Sequence, residues 1–145
     1  MKIYLDTCAF NRPYDKSDEL KVLLEARSVL LIQMFIAVGL FDLVASYMLI
    51  YECEQSPYRD KRISIEHYIQ KFTKCFVGIE NKAEIEEIAQ VIMSSGVKFK
   101  DACHLAAAQK AKCDFFITTD KRLLKYKTDE MQILSPTEFF TTKEG

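Results

Sequence analysis

The sequence predicts an α/β protein: a mostly parallel, five-stranded central sheet with helices on both faces, a three-layer sandwich. Two observations carry this. Short apolar runs of strand length alternate with longer segments whose apolar residues recur at spacings of three and four. The strand-like runs are also continuously apolar rather than alternating, as strands buried on both faces must be. No repeat, low-complexity tract or linker interrupts the pattern, so residues 1–145 are expected to form one domain.

Lys2 to Leu5 is the first strand and runs into Asp6. Asn11 to Asp15 reads as a loop, because Pro13 disfavours helix at Arg12. Ser17 or Asp18 caps a long helix to about Val38, with Leu20, Leu23, Leu24, Leu30, Leu31, Met34 and Phe35 as its apolar positions; Gly39 stops it. Phe41 to Ala45 is the second strand. Ser46 opens a helix from Tyr47 to Glu54, which Pro57 keeps from extending far. Asp60 to Phe72 is an amphipathic helix through Ile63, Ile65, Tyr68, Ile69 and Phe72. Cys75 to Ile79 is the third strand. Asn81 caps a helix to Met93, ended by Gly96, and Asp101 to Lys112 is an Ala-rich helix. Phe115 to Thr118 and Met131 to Leu134 are the last strands, separated by a short helix from Lys121 to Lys125. Pro136 starts a terminal helical turn ending in Phe139 and Phe140.

The totals exclude several classes. With 20 Lys+Arg against 21 Asp+Glu, bulk charge does not drive nucleic-acid binding, although a local patch or bound metal ions would supply a positive field. Five scattered cysteines, odd in number and without C-x-x-C spacing, argue against a disulfide scaffold or structural zinc; reduced thiols in a cytoplasmic protein are expected. The most apolar stretch, Val29 to Ile50, is broken by Gln33, Gly39, Asp42 and Ser46, and reads as helix plus strand rather than a membrane span.

In doubly covered parallel sheets the ligand crevice lies beyond the carboxyl ends of the strands, where strand order reverses. Four acids fit that location. Asp6 ends the first strand, where it serves either as a turn residue or as a corner of a site. Glu52 lies in "SYMLIYECE", a helix apolar nearly all round, where an ionised group needs a partner; Glu54 is its rival. Asp101 opens "DACHLAAAQ", with His104 three residues on as a hydrogen-bonded structural residue close enough to touch the site. Asp120 closes "FFITTD" and also suits a helix cap. Four ionised carboxylates crowd together only with counter-charge, which a divalent cation supplies. An all-oxygen ligand set favours Mg²⁺ or Mn²⁺ over zinc. Two such ions, roughly 4 Å apart, orient a water, lower its pKa and stabilise the leaving oxygen of a phosphodiester.

"YLDT", the lone Glu in an apolar helix near residue 50, "KDACHLAAA" and "ITTD", in that order over nearly the whole chain, resemble the PIN-domain family. The resemblance implies a metal-dependent endoribonuclease of the VapC-toxin kind. In this likeness Asp6, Asp101 and Asp120 hold Mg²⁺ or Mn²⁺. Glu52 binds metal or orients the attacking water, and Thr118 hydrogen-bonds a carboxylate or a metal-bound water. A homodimer and an antitoxin protein partner are implied, with RNA as substrate. Many family members have Asn two residues after the first Asp, where this chain has Cys8. A further acid often follows the fourth, where "KRLLKYK" is basic.

Arg12, in the "NRPYD" loop, suits a phosphate clamp or an ion pair. Lys121 and Arg122, with Lys100 and Lys125, form either a phosphate-contacting rim or a solvated face. The alternative function is a catalytically weak domain of the same fold that binds RNA or protein. A phosphotransferase of another α/β family fares worse: Asp-x-Asp is absent, Cys8 standing at the second Asp, and the four glycines form no phosphate loop.

Overall fold

The computed structural model describes residues 1–141, so the last four positions of the expected domain lie outside the described residues. Five strands, β1 (Lys2–Leu5), β2 (Asp42–Ser46), β3 (Thr73–Val77), β4 (Phe115–Ile117) and β5 (Gln132–Leu134), pair in the order β3-β2-β1-β4-β5. Every pairing is parallel, so the sheet is parallel throughout. β1 is central. The chain builds outward through β2 and β3 on one side and β4 and β5 on the other, so the order reverses at β1. That is the switch point at which such sheets open a crevice.

Alternation along β1 feeds two cores. Tyr4 joins Val44 and Phe116 against α5 (Lys82–Met93) and α6 (Phe99–Lys110). Ile3 and Leu5 face the opposite layer: α1 (Thr7–Asn11), α2 (Leu20–Ala37), α3 (Tyr47–Glu54), α4 (Arg59–Phe72) and α8 (Pro136–Thr141). α6 is buried without a break from Ala102 to Ala108, which its small side chains permit by letting its backbone approach sheet and α5 closely. A short helix, α7 (Lys121–Leu124), follows β4. Among the described residues no helix is long and apolar enough to cross a membrane.

The structure corrects the sequence reading in several places. Residues 7–11, given no element in sequence, form α1, and Arg12–Tyr14 of the expected loop form a 3₁₀ turn. β3 starts two residues earlier than expected, directly after α4, and Gly78 leads into a 3₁₀ turn at Ile79–Asn81. Neither Ser17 nor Asp18 caps α2; Glu19 precedes it without a side-chain bond, and the Ser17 hydroxyl accepts from Glu19 N–H instead. Asn81 does precede α5, but its amide donates to the Gly78 carbonyl instead of capping.

The largest correction concerns which face of α2 is buried. Its inward residues are Glu25, Val29, Ile32 and Ile36. Leu20, Leu23, Leu24, Leu30, Leu31 and Met34 face solvent, Leu20 at 70% and Met34 at 62% exposure. Apolar residues occur all round this helix, so periodicity alone could not choose a face.

Candidate active site

Asp6 leaves β1 at the switch point. Its backbone N–H donates to the Ile117 carbonyl at 2.9 Å, which ties the end of β1 to the end of β4. Its Oδ1 accepts from Thr7 N–H at 2.8 Å and so caps α1. Its Oδ2 accepts from the Thr118 hydroxyl at 2.9 Å and from the Cys8 thiol at 3.4 Å. Burial and the Asp6 charge push the Cys8 thiol up to about 11, so it stays protonated and able to donate. Thr118 in turn accepts from Asp120 N–H at 3.1 Å, which fixes the turn after β4. Asp120 Oδ1 accepts from Arg122 N–H at 2.8 Å, capping α7.

Glu52 arrives from α3, which Ser46 caps by accepting from Leu49 N–H. Glu52 Oε1 accepts from the Thr7 hydroxyl at 2.6 Å and pairs with His104 Nε2 at 2.7 Å. Both bonds fall on Oε1; Oε2 has no hydrogen-bond partner among the described residues. Glu54 is exposed and lies outside the cleft.

His104 is fully buried, and its other nitrogen, Nδ1, lies 2.6 Å from the Tyr4 hydroxyl. Tyr4 also meets Ser46 Oγ at 2.7 Å. The donors can be ordered. In the neutral form of His104, Ser46 Oγ, which accepts from the backbone of α3, donates to Tyr4 and Tyr4 donates to Nδ1, so that the single ring proton sits on Nε2 and points at Glu52; protonation adds a second proton at Nδ1, facing Tyr4. Burial raises the Tyr4 pKa well above its ordinary value, so the phenol keeps the proton this chain needs. Burial alone lowers the His104 pKa, but the bond to Glu52 and the charges of Asp6, Glu52 and Asp101 reverse that and raise it. Burial opposes ionisation of Glu52 as well, yet its bonds to His104 and Thr7 and the charge of His104 bring its pKa down. Sequence reasoning placed His104 beside the site as structural. The geometry makes it the group that holds the second acid, and Asp6, Glu52 and His104 bring potential ligand atoms within 4.8 Å of one another.

These residues open into a cleft of about 410 Å³ whose lining includes Asp6, Glu52, Lys100, Asp101 and Asp120. All four acids singled out in the sequence therefore share one concavity, although they come from three helix starts and one helix interior. Burial, together with the charges of Asp6 and Asp120, pushes the Asp101 carboxyl up to about 6. The other proposed contacts lie elsewhere. Arg12 Nη1 bonds Asp15 at 2.9 Å, and its Nε lies 3.2 Å from buried Glu25, an ion contact outside hydrogen-bond alignment. Arg12 is absent from the cleft lining, as are Lys121 and Arg122, both exposed on α7, where Arg122 lines a neighbouring cleft instead.

The donor set suits a hard divalent cation. Asp6, Glu52, Asp101 and Asp120 line the cleft with carboxylate oxygens, but among the described residues the close group with ligand atoms within 4.8 Å of one another is Asp6, Glu52 and His104, and Asp101 and Asp120 stand outside it. The one nearby imidazole points its Nε2 at a carboxylate, which argues against it as a ligand. The Asp101 carboxyl is raised first by burial and then by the negative charges of Asp6 and Asp120, which a cation in the cleft would offset.

The chain is thus a five-stranded parallel α/β sandwich with four carboxylates lining one cleft at its switch point. A family model described as PIN domain matches residues 3–128, and the chain belongs to that family. No curated protein matches the sequence. Among solved structures, VapBC2 of Rickettsia felis, bound to a DNA fragment from their promoter, is similar at a TM-score of 0.58 and 10% identity, over 92% of this chain and 97% of that one. FitAcB of Neisseria gonorrhoeae is similar at 0.56 and 15%, over 93% and 98%. At such identities the likeness speaks for the fold.

Proposed function

We propose that this PIN-domain protein is a metal-dependent endoribonuclease, hydrolysing phosphodiester bonds of single-stranded or loop RNA with Mg²⁺ or Mn²⁺. The observation that carries this is the convergence of Asp6, Glu52, Asp101 and Asp120 on one cleft at the switch point.

Asp6, Asp101 and Asp120 hold the ion, which when bound supplies counter-charge and polarises the phosphodiester. Thr118 and Cys8 donate to Asp6 Oδ2 and fix the carboxylate's rotation. Glu52 orients the attacking water through Oε2, while His104 and Thr7 hold Oε1. Lys121 and Arg122 contact substrate phosphates from α7. Arg12 acts by bracing α2 through Glu25, and any phosphate contact would have to break that pair. The exposed apolar stripe of α2 supports a surface covered by protein, consistent with a homodimer held inactive by an antitoxin protein. Five free thiols support a cytoplasmic setting.

The test is RNA cleavage with and without Mn²⁺, comparing the parent with Asp6→Asn and Asp101→Asn. Each variant should fold, by circular dichroism, and fail to cut. Variants that cut as fast as the parent would remove the assignment.

A further inference from the structure

A second cleft, of about 390 Å³, lies between the turn joining α5 to α6 and the chain around α7, and shares Asp101 with the first. Its walls carry Lys98, Arg122, Lys125 and Lys127, with the half-buried ring of Tyr126 between the last two; Asp101 is the one carboxylate in the lining. Four cations face one acid in a protein whose formal net charge is −1. Among the described residues none of the four lies within 4.0 Å of a carboxylate, so no internal partner neutralises them.

Lys98 adds a second, independent anomaly. It occupies the N-cap of α6 and offers no side-chain cap. That position favours Ser, Thr, Asp or Asn, and the helix dipole opposes a cation there. A local rule broken without a compensating contact marks a functional position more often than a structural one. An anion in the cleft would satisfy both the four cations and the uncapped amides of α6.

We propose that this cleft seats the stretch of RNA next to the bond being cut. Lys98, Arg122, Lys125 and Lys127 contact its phosphates, and Tyr126 offers a stacking face to a base. This rests on the ribonuclease reading of the carboxylate cleft. Asp101 borders both cavities, so a strand whose scissile phosphate lies among the acids continues directly onto the cations. A strand of evenly spaced phosphates matches four cations spread along one cleft and brings a base to stack on Tyr126, which an acidic peptide does not. The cleft thereby gives the substrate a path along the α6 start and α7.

The test is fluorescence anisotropy of a labelled single-stranded RNA 12-mer with the full chain in EDTA, so that binding is read without cleavage. Lys98→Ala combined with Lys127→Ala should weaken binding about tenfold at moderate salt. The slope of log affinity against log salt should become shallower by about 1.4, the value for two lost phosphate contacts on a single strand. Lys98→Arg with Lys127→Arg should restore both. Lys110→Ala, at the far end of α6 and paired with Glu84, should change neither. Unaltered affinity and slope in the double alanine variant would overturn the proposal, as would preferential competition by an acidic peptide over RNA. Cleavage of the same 12-mer by the parent with Mn²⁺ reports separately on the nuclease. Cleavage with unaltered variant affinity removes the cleft and keeps the nuclease; reduced variant affinity without any cleavage keeps the cleft as an RNA site and removes the nuclease.

Discussion

Replacing Asp101 by Asn should stabilise the metal-free protein near neutral pH. Burial and two neighbouring carboxylates raise this carboxyl from 3.8 to about 6. An acid whose folded pKa exceeds its unfolded value binds more protons in the folded state between the two. Its contribution to stability is therefore best below about pH 4, falls as pH rises to about 6, and stays lost above that. Without screening, the displacement corresponds to about 3 kcal/mol. The side chain is only half buried in an open cleft, and Asn forfeits a favourable place in the first turn of α6, so the net gain should be about 1 kcal/mol. For a chain of this size that is a rise in Tm of about 2–4 °C. Thermal melts in EDTA at pH 7 and pH 4 measure it: Asp101→Asn above the parent at pH 7, and level with it at pH 4. Added Mn²⁺ should raise the parent's Tm and leave the variant's nearly unmoved. A variant less stable than the parent at pH 7 would refute the reasoning, because Asp101 would then be a structural residue rather than one held at a cost for function.

Three further outcomes follow from the same contacts. Tyr4→Phe removes one hydroxyl, leaving Ser46 Oγ and His104 Nδ1 without their buried partner; urea unfolding should show a loss of about 1–3 kcal/mol, and ¹⁵N NMR of His104 should show its fixed tautomer relaxed. A sharp Nε2–H tautomer in this variant would show that Tyr4 does not set it. Arg12→Met strands Glu25 as an unpaired buried charge and should cost about 3 kcal/mol or more in urea unfolding, whereas a residue serving only as a phosphate clamp would leave stability unchanged. Leu30→Lys with Met34→Lys on α2 should change monomer stability by no more than about 0.5 kcal/mol while lowering the mass seen by light scattering; unchanged mass would show that this stripe is not the contact between copies.

The inner strands β1, β2 and β4 were legible because each is a short apolar run buried on both faces; the edge strands are only partly buried, and β3, whose burial alternates, was placed two residues late. α3 was legible to the residue: Ser46 caps it as its type suggests. The errors share a cause, which is that local signals were weak or pointed two ways. α1 has only five residues, too few to show a period, and is held by Asp6 and by tertiary contacts of Phe10. α2 is apolar on opposite faces, and the face buried is the one carrying Glu25, which meets Arg12 from the 3₁₀ turn shortly before the helix. Asp6, Glu52, Asp101 and Asp120 could be found because each acid sits at an element boundary or in an apolar helix, places where a carboxylate needs a reason. His104 could be placed near the site but not given its task. That task depends on Tyr4, one hundred residues earlier, and only the pairing of β1 over α6 brings the two rings to 5.8 Å. In sequence, Asp6 looked like a choice between turn residue and site residue. One oxygen caps α1 and the other is aligned by Thr118 at the cleft, so the turn role leaves room for the proposed site role.

The most direct test of the central claim is the Mn²⁺ anomalous signal in crystals of the parent soaked with the metal. The account predicts a peak in the carboxylate cleft, with oxygens of Asp6, Asp101 and Asp120 as ligands and His104 Nε2 still on Glu52. A peak bound by His104, or none in that cleft at saturating Mn²⁺, would contradict it.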